Sequence, residues 1–157
     1  MMSLTAAQLS ELTAQFFLAG LGTLSFAILF ACPRRCLPYC ALVGAVGWLW
    51  YELLTLLGAD AATASLLSVI PLTILTRVFA ITQKTPVTVF LLTGIFPLVP
   101  GAGIYYTMSL GLGGDVQAAV HKGLETAGVA GSIAVAILLV STVFRLVTAQ
   151  RRNRTKS

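Results

Sequence analysis

Five long apolar runs follow one another along this chain of 157 residues, with only short breaks between them. A helix of about 20 residues is long enough to cross the hydrocarbon core of a bilayer. Because backbone groups in hydrocarbon must be hydrogen-bonded within the protein, such runs predict helices. The predicted fold class is all-α, a polytopic membrane protein with about five transmembrane helices in a single integral-membrane domain. The predicted spans are 12–31, 37–57, 61–80, 86–108 and 125–147.

The composition excludes a soluble domain of this size. Hydrophobic residues make up 57 % of the chain and charged residues 10 %, whereas soluble domains have about 45–50 % apolar and about 25 % charged residues. The net charge of +5 comes from basic residues at helix ends and in a short tail, a pattern that indicates membrane topology rather than nucleic-acid binding. We expect the first run to be retained as a helix, because it is too long for a signal peptide and no basic residue precedes it.

Basic residues lie in alternate breaks between the runs. Arg34 and Arg35 are in the first break and Lys84 is in the third, whereas the second carries only Asp60; the predicted basic tail is 148–157. Loops rich in Lys and Arg remain in the cytosol. The pattern therefore predicts a protein of the cytoplasmic membrane with its N-terminus outside the cell and its C-terminus in the cytosol.

The fourth span is interrupted by the sequence FPLVPGAGIYY, residues 96–106. A proline inside a helix removes a hydrogen bond and clashes with the preceding turn, at a cost of about 3 kcal/mol. Pro97, Pro100, Gly101 and Gly103 therefore predict a fourth span that is broken at a PxxPG motif. Unwound backbone at membrane depth is tolerated only where it is buried in protein or lines a wet cavity.

Discontinuous helices of secondary transporters have this form, with the positive N-terminal end of a half-helix directed at an anionic group of the substrate. We predict that the backbone of the break binds a carboxylate and that a neighbouring tyrosine makes a polar contact. A kinked helix whose prolines are compensated by neighbouring helices is the alternative. The predicted substrate-binding residues are Pro97, Pro100, Gly101, Ala102, Gly103, Tyr105 and Tyr106.

Three ionisable residues are candidates for proton coupling. Asp115 is a plausible N-cap for a helix that leads into the last span. On that helix His121 and Glu125 are four residues apart, so that they can touch and pass protons. Glu52, near the outer end of the second span, is the third candidate, because a carboxylate in a span is a functional candidate by default. An interfacial polar face without a proton role is the alternative.

The chain offers no clear basis for catalysis, a metal or another cofactor. Cys32, Cys36 and Cys40 are spaced by four and lack neighbouring CxxC, His or carboxylate ligands, so we interpret them as small buried residues. An intramembrane enzyme would need a nucleophile with a paired base or a metal cluster. One His and scattered carboxylates do not suggest either, and we expect no enzyme activity.

The segment 93–108, TGIFPLVPGAGIYYTM, resembles the signature of the threonine/serine exporter family, as do 122–126, KGLET, and 130–134, AGSIA. The chain looks like a small, stand-alone version of the C-terminal five-span half of that family. The resemblance implies export of threonine and serine driven by the proton motive force. It also implies a larger five-span membrane subunit as the partner in a hetero-oligomer.

Three other functions stay open. The chain could be a subunit of a dicarboxylate exporter of the succinate type, since the resemblance leaves the substrate open. It could also be a structural subunit that stabilises the larger partner without contributing to transport. The third is a small homo-oligomeric channel or carrier that works alone.

Overall fold

A computed structural model describes residues 6–154, with side chains described from 8 to 146. Six α-helices make up this part: α1 Ala6–Leu29, α2 Leu37–Leu56, α3 Ala61–Gln83, α4 Val87–Ile95, α5 Gly101–Leu112 and α6 Val116–Arg154. Short 3-10 turns, Arg34–Cys36 and Phe96–Leu98, precede α2 and follow α4. The side chains of the predicted basic tail, 148–157, lie outside the described ones.

Four of the helices are long and apolar enough to cross a membrane. Val87–Leu98 and Gly101–Leu112 pass the same test together, with their two halves bent by 48° relative to each other, and give a fifth crossing when the pair is counted as one broken span. The described residues form no strand. The predicted fold class, an all-α polytopic membrane protein with its fourth span broken at the PxxPG motif, is therefore confirmed.

Helices α2 and α3 form the centre of the bundle, since α1 packs on α2, α6 packs on α3, and α4 packs on both. Small residues allow these close crossings. A Cβ atom built on Gly47 would lie 2.5 Å from Leu72 Cδ1 in α3. A Cβ on Gly44 would likewise overlap the side chain of Thr23 in α1. Such contacts fix how α2 is rotated about its own axis.

The two ends of the bundle differ in charge. The loops with Arg34, Arg35 and Lys84 share one end, the Lys84 end, where Cys36 Sγ lies 3.6 Å from Thr85 Oγ1. The three cysteines are free thiols. Asp60 lies at the opposite end, the Asp60 end, together with the short loop between α5 and α6.

An aspartate caps the start of two helices at the Asp60 end, α3 and α6. The Oδ2 atom of Asp60 accepts a hydrogen bond from the N–H of Thr63 at 3.3 Å, and Oδ1 accepts one from the Thr63 hydroxyl at 2.6 Å. The Oδ1 atom of Asp115 accepts one from the N–H of Ala118 at 3.0 Å. Both satisfy N–H groups that the first helical turn leaves unpaired.

Helices α5 and α6 form an antiparallel hairpin. Helix α5 packs mainly on α6, and none of its residues is buried. Helix α6 has 39 residues, so at about 1.5 Å per residue it is longer than a bilayer is thick. Ala119, Gly123 and Thr126 in its first turns contact α5. Ile133 and Ala136, further along, lie in the main core with Val69 and Leu72 of α3.

Candidate functional site

The break in the fourth span has a defined backbone geometry. After the 3-10 turn Phe96–Leu98 the chain is extended at Val99, and the N–H of Gly101 donates to Val99 O at 2.7 Å. Pro100, with φ −76° and ψ 54°, is the centre of this inverse γ-turn. The turn is held from two sides. The ring of Phe96 stacks on Phe26 of α1, with centroids 3.8 Å apart, and Leu98 is buried in the main core.

The second half-helix begins with free amide groups. The N–H of Ile104 donates to Pro100 O at 3.1 Å. This is the first helical backbone hydrogen bond, from residue i to residue i−4, of α5. Within the described chain, the N–H groups of Ala102 and Gly103 have no such backbone acceptor. These groups lie at the positive end of the helix dipole of α5. They can donate hydrogen bonds to an anionic group.

A cavity of about 390 Å³ lies beside the break. Its walls come from the break, from the second half of α2, from the first turn of α3 and from the α5–α6 hairpin. Most of the site residues predicted from the sequence line it. They are Pro97, Pro100, Gly101, Ala102, Gly103, Tyr106 and Glu125.

The other three predicted residues face elsewhere. Tyr105 lies about 100° around the axis of α5 from Tyr106. Its side chain is exposed and is not part of the cavity wall. The side chain of His121 is 80 % exposed, with Nδ1 3.5 Å from Glu125 Oε1. Glu52 lies in a separate small cavity of about 60 Å³ that Glu11 also lines.

An aromatic wall completes the cavity and was not predicted from the sequence. Trp48 and Tyr51 are three residues apart on α2, their ring centroids are 5.3 Å apart, and both line the cavity. The Nε1 atom of Trp48 donates to Gln15 Oε1 of α1 at 2.7 Å, which fixes the indole. The signal was the i, i+3 spacing on the same helix, which also suits a membrane interface.

Two aliphatic hydroxyl groups lie in the wall beside the tyrosines. Ser65 is buried, and its Oγ donates to Ala61 O at 2.7 Å. Thr126 Oγ1 donates to Lys122 O at 2.7 Å. Each hydroxyl has used its hydrogen within its own helix and keeps lone pairs that can accept a hydrogen bond from a ligand.

Lys122 and Glu125 are the charged side chains in this wall, within the part of the chain that the structure describes. Lys122 Nζ lies 2.9 Å from Glu125 Oε2. Lys122 was not among the residues predicted from the sequence. Its spacing of three from Glu125 would have indicated an ion pair on one helix face.

Small residues in the α5–α6 hairpin hold this charged pair beside the break. Gly103 of α5 faces Thr126 of α6, and one turn along Gly123 faces Thr107, where a Cβ on Gly123 would lie 3.3 Å from Thr107 Cγ2. The two helices thus approach closely at both levels. By contrast, a Cβ on Gly101 would have no atom within 4 Å.

Comparison with known proteins places the break and the cavity in a known family. The sequence model described as "Threonine/Serine exporter, ThrE" matches residues 15–143. That range contains every residue that lines the cavity, and the match confirms the resemblance of the sequence. No solved structure matches the chain. The chain therefore belongs to the threonine/serine exporter family and is a membrane transporter of that type.

Proposed function

We propose that the chain is a subunit of a secondary-active exporter that moves threonine and serine out of the cell. The observation that carries the proposal is the cavity at the break, which has free helix N-terminal amides, an aromatic wall and hydroxyl groups in one space. Sites of this kind in transporters lie where a helix is discontinuous. A cavity of about 390 Å³ has room for a small amino acid.

In this proposal the backbone of the break contacts the substrate carboxylate. The N–H groups of Ala102 and Gly103 donate to it, and Gly101 leaves the approach open because it has no side chain. Pro97 and Pro100 keep the backbone out of the helix, which leaves these amides unpaired. Tyr106 makes the polar contact from α5, whereas Tyr105 does not line the cavity.

The hydroxyl group of threonine or serine would be recognised by the polar atoms of the wall. Ser65 and Thr126 can each accept a hydrogen bond from it, because their own hydrogens are already donated to their helices. A buried acceptor left without a partner disfavours a substrate that lacks the hydroxyl. Valine, which has the shape of threonine but no hydroxyl, would therefore be exported poorly.

We further propose that export is driven by the proton motive force. Glu125 is the first candidate for the proton carrier, because it lines the cavity and lies close to His121. Glu52 is the second, since it lies beside Glu11 at the Asp60 end, apart from the substrate cavity. Carboxylates within membrane helices are typical of proton pathways.

The remaining parts of the proposal concern the membrane and the partner. The chain lies in the cytoplasmic membrane with the Lys84 end in the cytosol, which puts the N-terminus outside. A larger five-span membrane subunit completes the exporter. Helix α5 supports this, because it packs mainly on α6 and none of its residues is buried by the rest of the described chain.

The test is an efflux assay in cells that are loaded with a threonine dipeptide. We expect threonine efflux when this chain and its five-span partner are both expressed, and loss of efflux when an uncoupler is added. Efflux from this chain alone would contradict the two-subunit proposal. Absence of threonine efflux with both chains expressed at normal levels would contradict threonine as the substrate.

A further inference from the structure

The charged pair Lys122 and Glu125 carries a second inference, which concerns how the site selects its substrate. We infer that the two side chains form a charge-matched receptor for zwitterions, in which Lys122 binds the substrate carboxylate together with the backbone amides of α5, and Glu125 binds the ammonium group. The receptor would favour amino acids over dicarboxylates. This inference rests on the proposed function, because it assigns residues to the substrate of the same cavity.

The charged pair is positioned at the cavity. Lys122 and Glu125 lie on the first turns of α6, and both line the cavity beside the break. The hairpin holds them there, since Gly103 at the start of α5 packs directly on Thr126, the next residue in the chain after Glu125. Lys122 and the free amides of α5 therefore line the same cavity.

The ion pair between Lys122 and Glu125 can separate. Lys122 Nζ and Glu125 Oε2 are 2.9 Å apart, and the two side chains are 41 % and 51 % exposed. An exposed ion pair on one helix contributes little to stability, because water and salt screen it. At little cost in free energy, Lys122 can therefore release Glu125 and bind a substrate carboxylate. Glu125 can likewise release Lys122 and bind a substrate ammonium group.

The positive and negative charges of the cavity wall are balanced. Apart from this one cation and one anion, the described cavity wall consists of aromatic rings, hydroxyl groups, apolar side chains and backbone. An α-amino acid brings one carboxylate and one ammonium group, so each of its charges meets an opposite one. A dicarboxylate brings two negative charges, and the second would meet Glu125 without another cation to pair with. Such a mismatch opposes binding.

The test compares threonine with threoninamide, which keeps the ammonium and hydroxyl groups but has a neutral amide in place of the carboxylate. Apparent Kd values are taken from the rise in melting temperature with ligand concentration. The sample is the full chain, purified from membranes together with its companion subunit where efflux requires one. The variants are Lys122→Met and Lys122→Arg, and Lys84→Met is the control that removes a cation at the other end of the bundle.

In the unaltered protein we expect threonine to bind at least about tenfold more tightly than threoninamide, as a charge-assisted hydrogen bond to the carboxylate implies. In Lys122→Met the Kd of threonine should rise toward that of threoninamide, whereas threoninamide, which is a cation, should bind no more weakly than before. Lys122→Arg should keep most of the preference, and Lys84→Met all of it. Glu125→Gln should weaken both ligands by a similar factor, because both carry the ammonium group.

Two results would overturn the receptor while leaving the exporter proposal intact. One is an equal loss of both ligands in Lys122→Met, which would mean that the ion pair only supports the helix. The other is an unchanged preference for threonine in that variant. Succinate binding that is tighter than threonine binding and depends on Lys122 would overturn both proposals in favour of a dicarboxylate exporter. Absence of threonine efflux from cells, with no melting shift for threonine, would remove the proposed function and the receptor with it.

Discussion

A Cβ atom on Gly103 would lie 2.5 Å from the Oγ1 atom of Thr126. This contact joins the first turn of the second half-helix to the helix that carries the charged pair of the cavity. Replacing the glycine with any other residue must either rotate the Thr126 side chain or separate α5 from α6. The relationship therefore couples packing to the geometry of the proposed substrate site.

We predict that Gly103→Ala lowers the melting temperature of the purified protein and reduces threonine efflux. Overpacking lowers the free energy of unfolding by about 1–3 kcal/mol. The higher helix propensity of alanine offsets about 1 kcal/mol of this at most. Gly128→Ala is the matched control, because a Cβ on Gly128 meets no atom within 4 Å. Adding Thr126→Ala to Gly103→Ala should restore much of the melting temperature, because it removes the side chain that Gly103 contacts, but not efflux, because Thr126 also lines the cavity. If Gly103→Ala were as stable as Gly128→Ala, the contact would not constrain the hairpin.

The neighbouring glycine, Gly101, allows the opposite experiment, in which the packing stays and the cavity is filled. A Cβ atom at this position meets no atom within 4 Å, and Gly101 lines the cavity. We predict that Gly101→Leu abolishes threonine efflux while abundance and melting temperature change little. Gly131→Leu, also without an atom within 4 Å of its Cβ and outside the cavity wall, should export normally. Normal efflux in Gly101→Leu would remove the broken helix from the transport mechanism.

The sequence predicted the break well because its cause is covalent. Pro97 and Pro100 lack backbone N–H groups, whatever surrounds them, so a regular helix through both is disfavoured locally. The caps at Asp60 and Asp115 are local in the same sense. These features need no knowledge of the other helices.

The composition of the cavity wall was harder to predict, because it depends on how each helix is rotated toward its neighbours. Tyr51 lines the substrate cavity, whereas the next residue, Glu52, faces α1 and lies in a different cavity. That rotation is set by long-range contacts such as Gly47 against Leu72. Weak hydrophobic periodicity cannot supply it, since a membrane helix is apolar on most of its faces.

Asp60 gives a prediction about stability and pH. Hydrogen bonds from the hydroxyl and the N–H of Thr63 lower the pKa of this carboxyl group below its ordinary value. The ionised form therefore stabilises the folded state above the unfolded pKa of about 4, and this contribution is lost as the pH falls through the lower pKa of the folded state.

We accordingly expect the melting temperature of the unaltered protein to fall more steeply on acidification below about pH 4 than that of Asp60→Asn. Asparagine keeps the cap without a charge, so Asp60→Asn should be nearly as stable as the unaltered protein at neutral pH, and Asp60→Ala less stable than both. Identical pH profiles for the unaltered protein and Asp60→Asn would contradict a role for the ionised carboxylate.

Two consecutive tyrosines provide an internal comparison for the proposed site. Tyr106 lines the cavity and Tyr105 does not, although both lie on α5 and their rings are 5.6 Å apart. We predict that Tyr106→Phe weakens threonine binding about three- to tenfold, the range expected for loss of one hydrogen bond, whereas Tyr105→Phe leaves it unchanged. Each substitution removes one hydroxyl from the same half-helix, so a general effect on α5 would appear in both. The Kd of threonine from ligand-dependent melting is the measurement. Equal weakening of threonine binding in the two variants would mean that the tyrosines act through the helix. Weakening in Tyr105→Phe alone would mean that the substrate binds on the face of α5 that carries Tyr105, away from the cavity.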